Sequence, residues 1–143
     1  MEPFRFRLEK VLSWQRTQTD LEENRTKQMS AALAQTRAAL VEVESSRAGA
    51  GRETVQAATL HPRDLAALAG YRRHLALREA ALRRQEQECE QRLADQRRRW
   101  VEARRRCRLL EKLKERRLAE YTLQLGREFD AQASEMFLSR WRR

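Results

Sequence analysis

Apolar positions along the chain recur at helical spacing and are interrupted only near its middle. Tyr71 to Leu125 is a run of 55 residues without glycine or proline, and Arg5 to Ala48 is a second breaker-free run, just after Pro3 and Phe4. Gly49, Gly51, Pro62 and Gly70 lie between the two runs. At ~1.5 Å per residue the longer run alone would reach about 80 Å as a helix, several times the radius of gyration of a globular chain of this size. The pattern therefore predicts an all-α fold in which two long helices form an antiparallel coiled-coil hairpin, a rod. It reads as one domain over residues 1–143, with helix one over about 4–58, a turn at about 59–62, helix two over about 63–140 and a C-terminal overhang over about 119–143.

The seam can be followed residue by residue. On helix two, Leu68, Leu75, Leu82 and Cys89 recur at sevens. Leu93, Trp100 and Cys107 repeat that spacing four residues out of phase, followed by Leu110, which predicts a coiled coil with a stutter. Helix one carries a seam from Leu8, Val11 and Leu12, and again from Met29, Ala32, Leu33, Leu40 and Val43. Between them Gln15 to Gln28 contains a single apolar residue, Leu21, and is expected to pack loosely or to lean on something else. Pro62 suits the first position of a new helix and Asp64 its first turn, so helix two is expected to begin near Arg63. Folding about residue 61 sets Leu8 opposite roughly residue 114, so Phe4 to Leu12 should pair with Leu109 to Leu118. The overhang then carries Leu123, Leu125, Phe129, Met136, Phe137, Leu138 and Trp141, apolar surface that marks a contact site or else fraying or self-association.

Composition removes the alternatives to a helical hairpin. Charged residues make up 36% of the 143 and the mean hydropathy is -0.89, too little apolar matter for a globular core. Of the 58 hydrophobic residues 20 are Ala and 19 are Leu, with five Val and no Ile, which argues against a sheet. Neither a signal-peptide opening nor an apolar run near the ~20 residues of a membrane span is present, so a soluble intracellular protein is expected. Cys89 and Cys107 lie 18 residues apart on one helix, roughly 27 Å, far beyond disulfide reach, and read as small seam residues.

The net charge of +10 resides in the second half: residues 1–62 carry nine basic and eight acidic side chains, residues 63–143 twenty-two and thirteen. Eight arginines fall within residues 92–108 against only Asp95 and Glu102. The triplets Arg97, Arg98, Arg99 and Arg104, Arg105, Arg106 are seven apart and share helix faces, a basic patch suited to phosphates, an acidic protein or an anionic membrane surface, or else a solvated face. His61 and His74 stand alone, no Gly-rich phosphate loop is present, and the carboxylates lie among arginines, so neither catalysis, a metal nor a cofactor is expected.

Two segments carry a resemblance. Phe4-Arg5-Phe6-Arg7-Leu8-Glu9-Lys10-Val11-Leu12, with Leu109-Leu110-Glu111-Lys112-Leu113-Lys114-Glu115-Arg116-Arg117 leading into Tyr121, resembles the flagellar export protein FliJ family. The likeness extends loosely over almost the whole chain, which departs from the family in its heavy arginine content and the polar Gln15 to Gln28 zone. It implies a non-catalytic, cytoplasmic stalk component of the flagellar type III export apparatus, resembling the coiled-coil stalk of rotary ATPases. Its implied partners are a FliI-like export ATPase hexamer, the cytoplasmic domain of a FlhA-like export gate and export chaperones, with peripheral association at the inner membrane through the apparatus. On this basis Phe4, Phe6, Leu110, Leu113, Leu118 and Tyr121 are expected to meet the ATPase ring, and Leu68, Tyr71 and Leu75 the gate or a chaperone. The stalk proteins of virulence secretion systems share this architecture and remain an alternative, as does a basic coiled coil that binds nucleic acid through the arginine patch; the stalk reading itself requires no nucleic acid.

Overall fold

The computed structural model describes residues 2–56 and 61–142. Two helices account for almost all of them: α1, Glu9–Gln56, and α2, Pro62–Trp141. No strand occurs among the described residues, and the protein is an all-α helical hairpin. Of the turn expected at 59–62, residues 59 and 60 lie outside the described residues. Pro62 itself opens α2, one residue before the expected start, where a missing N–H costs no hydrogen bond. The His61 carbonyl accepts the amides of Asp64 and Leu65 at 2.9 and 3.1 Å, closing the first turn.

Helix α1 begins later than the sequence pattern suggests, at Glu9 rather than near residue 4. The aromatic residues of the opening explain the difference. Phe4 packs against the Tyr121 ring with centroids 5.6 Å apart, and the Tyr121 hydroxyl donates to the Glu2 carbonyl at 2.8 Å, holding the segment out of helical geometry. The chain turns into α1 through a bond from the Glu9 amide to the Phe6 carbonyl.

The chain divides into two compact units, one formed by Met1–Leu21 with Trp100–Arg143, the other by Glu22–Arg99. In unit one Glu9 pairs with Lys114 at 2.8 Å and Arg16 with Glu111 at 3.1 Å. In unit two Arg37 bridges Glu86 and Glu90 at 2.9 and 2.7 Å, Arg47 pairs with Glu79, and Arg83 reaches Glu44 at 3.4 Å. In both units the α2 number falls as the α1 number rises, so the helices run antiparallel, and Glu9 opposite Lys114 agrees with the expected fold-back. Exposed ion pairs are worth at most about 1 kcal/mol each, so these set alignment more than stability. Stability comes from the seam: Leu12, fully buried, with Ala103 and Cys107 in unit one; Leu33, Leu40, Val43, Ala50, Leu75 and Leu93 in unit two.

One sequence expectation about the seam is corrected. Helix α2 has no stutter. From Leu75 to Lys114 a line of buried and half-buried positions runs 75, 79, 82, 86, 89, 93, 96, 100, 103, 107, 110 and 114, an unbroken alternation of four and three, with the half-buried Glu111 beside it. The two lines read from the sequence as out of phase are the two interleaved lines of one heptad. They look disconnected because Glu79, Glu86 and Gln96 occupy seam positions where an apolar residue is expected, and Gln96 is buried.

In the Gln15 to Gln28 zone, where no apolar side chain is buried and Leu21 is 44% exposed, polar bonds stand in for apolar contacts. Gln15 is buried and its amide donates to the Ala103 carbonyl at 3.3 Å in unit one. The Gln96 amide donates to both the carbonyl and the carboxylate of Glu22 in unit two. Thr19 and Thr26 satisfy their hydroxyls on the carbonyls of Gln15 and Glu22, one turn back.

Candidate functional site

A concavity lies in unit one, where the non-helical opening folds against α2. Because residues 2–8 run alongside α2 instead of joining α1, they form one wall of a half-open cleft of about 740 Å³. Phe4, Phe6 and Leu8 line that wall, and Leu113, Arg117, Tyr121 and Gln124 line the other. The α2 residues recur at spacings of three and four, so one helix face floors the cleft. Tyr121 and Phe4 are half-buried and fix each other, whereas Leu113 remains 36% exposed and open to a partner. Arg5, Arg7 and Arg117 on the rim, with Glu2 and Glu120, frame an apolar floor with mixed charge. Such a site is suited to gripping a protein segment by apolar anchors with a polar rim.

Of the six residues expected at this end, the cleft gathers Phe4, Phe6, Leu113 and Tyr121. Leu110 is instead a half-buried seam residue, and Leu118, 44% exposed, is not part of the lining. Arg117 and Gln124 were not singled out from the sequence. Helical spacing could have found Arg117, four residues from both Leu113 and Tyr121. Because Tyr121 is engaged by Phe4 and Glu2, the overhang begins beyond it: residues 126–142 are exposed throughout, with Phe129, Met136, Phe137 and Leu138 each 62–69% accessible. Phe137 and Trp141 stack on each other at 6.4 Å.

The second expected contact group separates in unit two. Tyr71 is exposed and available, Leu68 is half-buried, and Leu75 is only 5% exposed. Leu75 is therefore seam core and cannot be a surface contact, because it sits on the same heptad line as Leu82 and Cys89.

The arginine triplets fall one in each unit. In unit two Arg98 pairs with Asp95 at 3.8 Å. In unit one Arg106 pairs with Glu102 at 3.4 Å, and the Arg104 guanidinium lies 5.7 Å from the centre of the Trp100 ring. The Trp100 indole N–H is buried without an acceptor. Cys89 is half-buried and Cys107 buried, both as free thiols, as expected of seam residues. Among the described residues no three His, Cys, Asp or Glu side chains gather at metal-binding distance, and no helix is long and apolar enough to cross a membrane. No protein-family model, no curated protein and no solved structure matches the chain.

Proposed function

We propose that this protein is a non-catalytic stalk component of the flagellar type III export apparatus, acting on an export ATPase ring through the cleft of unit one and meeting an export gate or chaperones through Tyr71 and its surroundings. The observation that carries the reading is the cleft itself. The two segments on which the resemblance to the FliJ family rests, Phe4 to Leu12 and Leu109 to Tyr121, are distant in sequence yet form its two walls. The exposed Leu113 beside the aromatic pair supplies the kind of anchor a partner can grip. A cytoplasmic position at the membrane-bound apparatus belongs to the same proposal, as does the virulence-system counterpart, which would use the cleft identically.

The test is the hydrolysis rate of the cognate export ATPase, titrated with this protein through ring-forming concentrations. Stimulation is expected to saturate near one chain per ring. With Leu113→Asp it should fall at least tenfold in apparent affinity, the cost of a buried unpaired carboxylate in an apolar contact, while the helical circular dichroism is unchanged. Undiminished stimulation by the variant would remove the cleft from the mechanism, and no stimulation by the parent chain would remove the stalk reading.

A further inference from the structure

We propose that the outer face of α2 in unit one, from Val101 to Lys112, is a docking surface for an anionic lipid bilayer. Val101, Arg104, Arg105, Arg108, Leu109 and Lys112 line a shallow groove of about 460 Å³. Their spacing of three, one, three, one and three keeps them on one side of the helix, turned away from the buried Ala103 and Cys107. Val101 and Leu109 are each 60% exposed, aliphatic side chains with no intramolecular reason to sit among cations.

The four cations of this face are unpaired. Among the described residues none of Arg104, Arg105, Arg108 and Lys112 has a carboxylate within 4.0 Å. Elsewhere in the same unit Arg106, Lys114 and Arg117 each have one. The charge of these four side chains is therefore left to solvent or to a partner. Arg104 is additionally steadied over the Trp100 ring, which fixes one edge of the cationic strip.

The arrangement selects among anionic partners. A third helix packing here would need an apolar residue every three or four positions, yet the only two on this face are eight apart with arginines between them. A nucleic acid would satisfy the cations through phosphates and leave Val101 and Leu109 facing water. A bilayer surface uses both features: headgroup charge for the cations, whose long stems let them reach it, and the boundary below the headgroups for the two aliphatic tips. These residues all lie within unit one, and the inference does not rest on the stalk reading.

The experiment is co-sedimentation of the full-length protein with vesicles of phosphatidylcholine alone or mixed with phosphatidylserine. Duplex DNA and polyglutamate at the same ionic strength serve as polyanion probes. Binding is expected to the mixed vesicles only, weakened roughly 30-fold by the double variant Arg105→Ala, Arg108→Ala, about fivefold for each cation removed. The double variant Val101→Ser, Leu109→Ser should weaken vesicle binding about tenfold while leaving any duplex binding unchanged. All four positions are on the outer face, so helical content should be retained. Absence of binding to the mixed vesicles, equal binding to pure phosphatidylcholine, or vesicle binding indifferent to the serine substitutions would each overturn the assignment. The last of these would make the face a general polyanion site.

Discussion

Leu12 is the most completely enclosed side chain among the described residues, at 0% exposure, and sits one turn before the buried Gln15. Leu12→Ala is expected to cost about 2–5 kcal/mol, because truncation both loses transfer free energy and leaves a cavity that paired helices cannot easily close. A denaturant melt followed by circular dichroism measures this directly, and a loss below about 1 kcal/mol would show that the seam of unit one collapses around the deletion. Glu79 presents a different kind of test. Its carboxylate accepts from Arg83 and Arg47, and those bonds, the Arg83 one first, hold its pKa below the ordinary 4.5. The folded state therefore binds its proton less readily than the unfolded chain. The resulting stabilisation is present above the ordinary carboxylate range and is lost as pH falls through the depressed value. Glu79→Gln should flatten that part of the acid dependence of melting temperature, modestly because solvent reaches the pair. An unchanged profile would show the bonds to be too screened to count. Arg37, raised by its bond to Glu86 and then by that to Glu90, stays charged throughout and gives no such window.

At the scale of the element, the helices run through residues that usually interrupt them. Gly49 and Gly51 lie inside α1, Gly70 and Gly126 inside α2, and at none of them would an added Cβ meet an atom within 4 Å. Helical glycine is disfavoured by ~1 kcal/mol relative to alanine, mostly through backbone entropy. Gly70→Ala and Gly126→Ala are each expected to stabilise their helix by up to that amount. Amide hydrogen exchange along α2 would detect this locally as slower exchange around residues 70 and 126. Faster exchange in either variant would mean that the glycine accommodates something a methyl group obstructs. Gly126 also marks where the seam stops being covered, since no later described residue is shielded.

For the whole molecule, the architecture was legible because breaker-free runs and an Ala- and Leu-rich apolar set leave few folds open. The fold-back register followed from the short loop alone. The polar members of the seam were not legible. Gln15 was legible only as the edge of a polar zone and Gln96 was not singled out, and only the three-dimensional pairing supplies the Ala103 carbonyl and Glu22 that make their burial tolerable. The same oversight produced the false stutter. At the candidate site the aromatic partners were found from motif position, but Leu75 was misplaced because a heptad residue and a surface contact look alike in one dimension.

The unbroken four-and-three rhythm of α2 also restricts how related chains can vary in length. Adding or deleting one to six residues within the paired part of either helix would rotate everything beyond it by a fraction of a turn. Leucines would then face water, and Gln15 and Gln96 would lose their acceptors. A seven-residue change confined to one helix would preserve facing but slide Glu9 away from Lys114 or Arg37 away from Glu86. Matched changes of whole heptads in both helices would preserve the seam, whereas an insertion of three or four residues would have to be absorbed by local overwinding or unwinding of the pair.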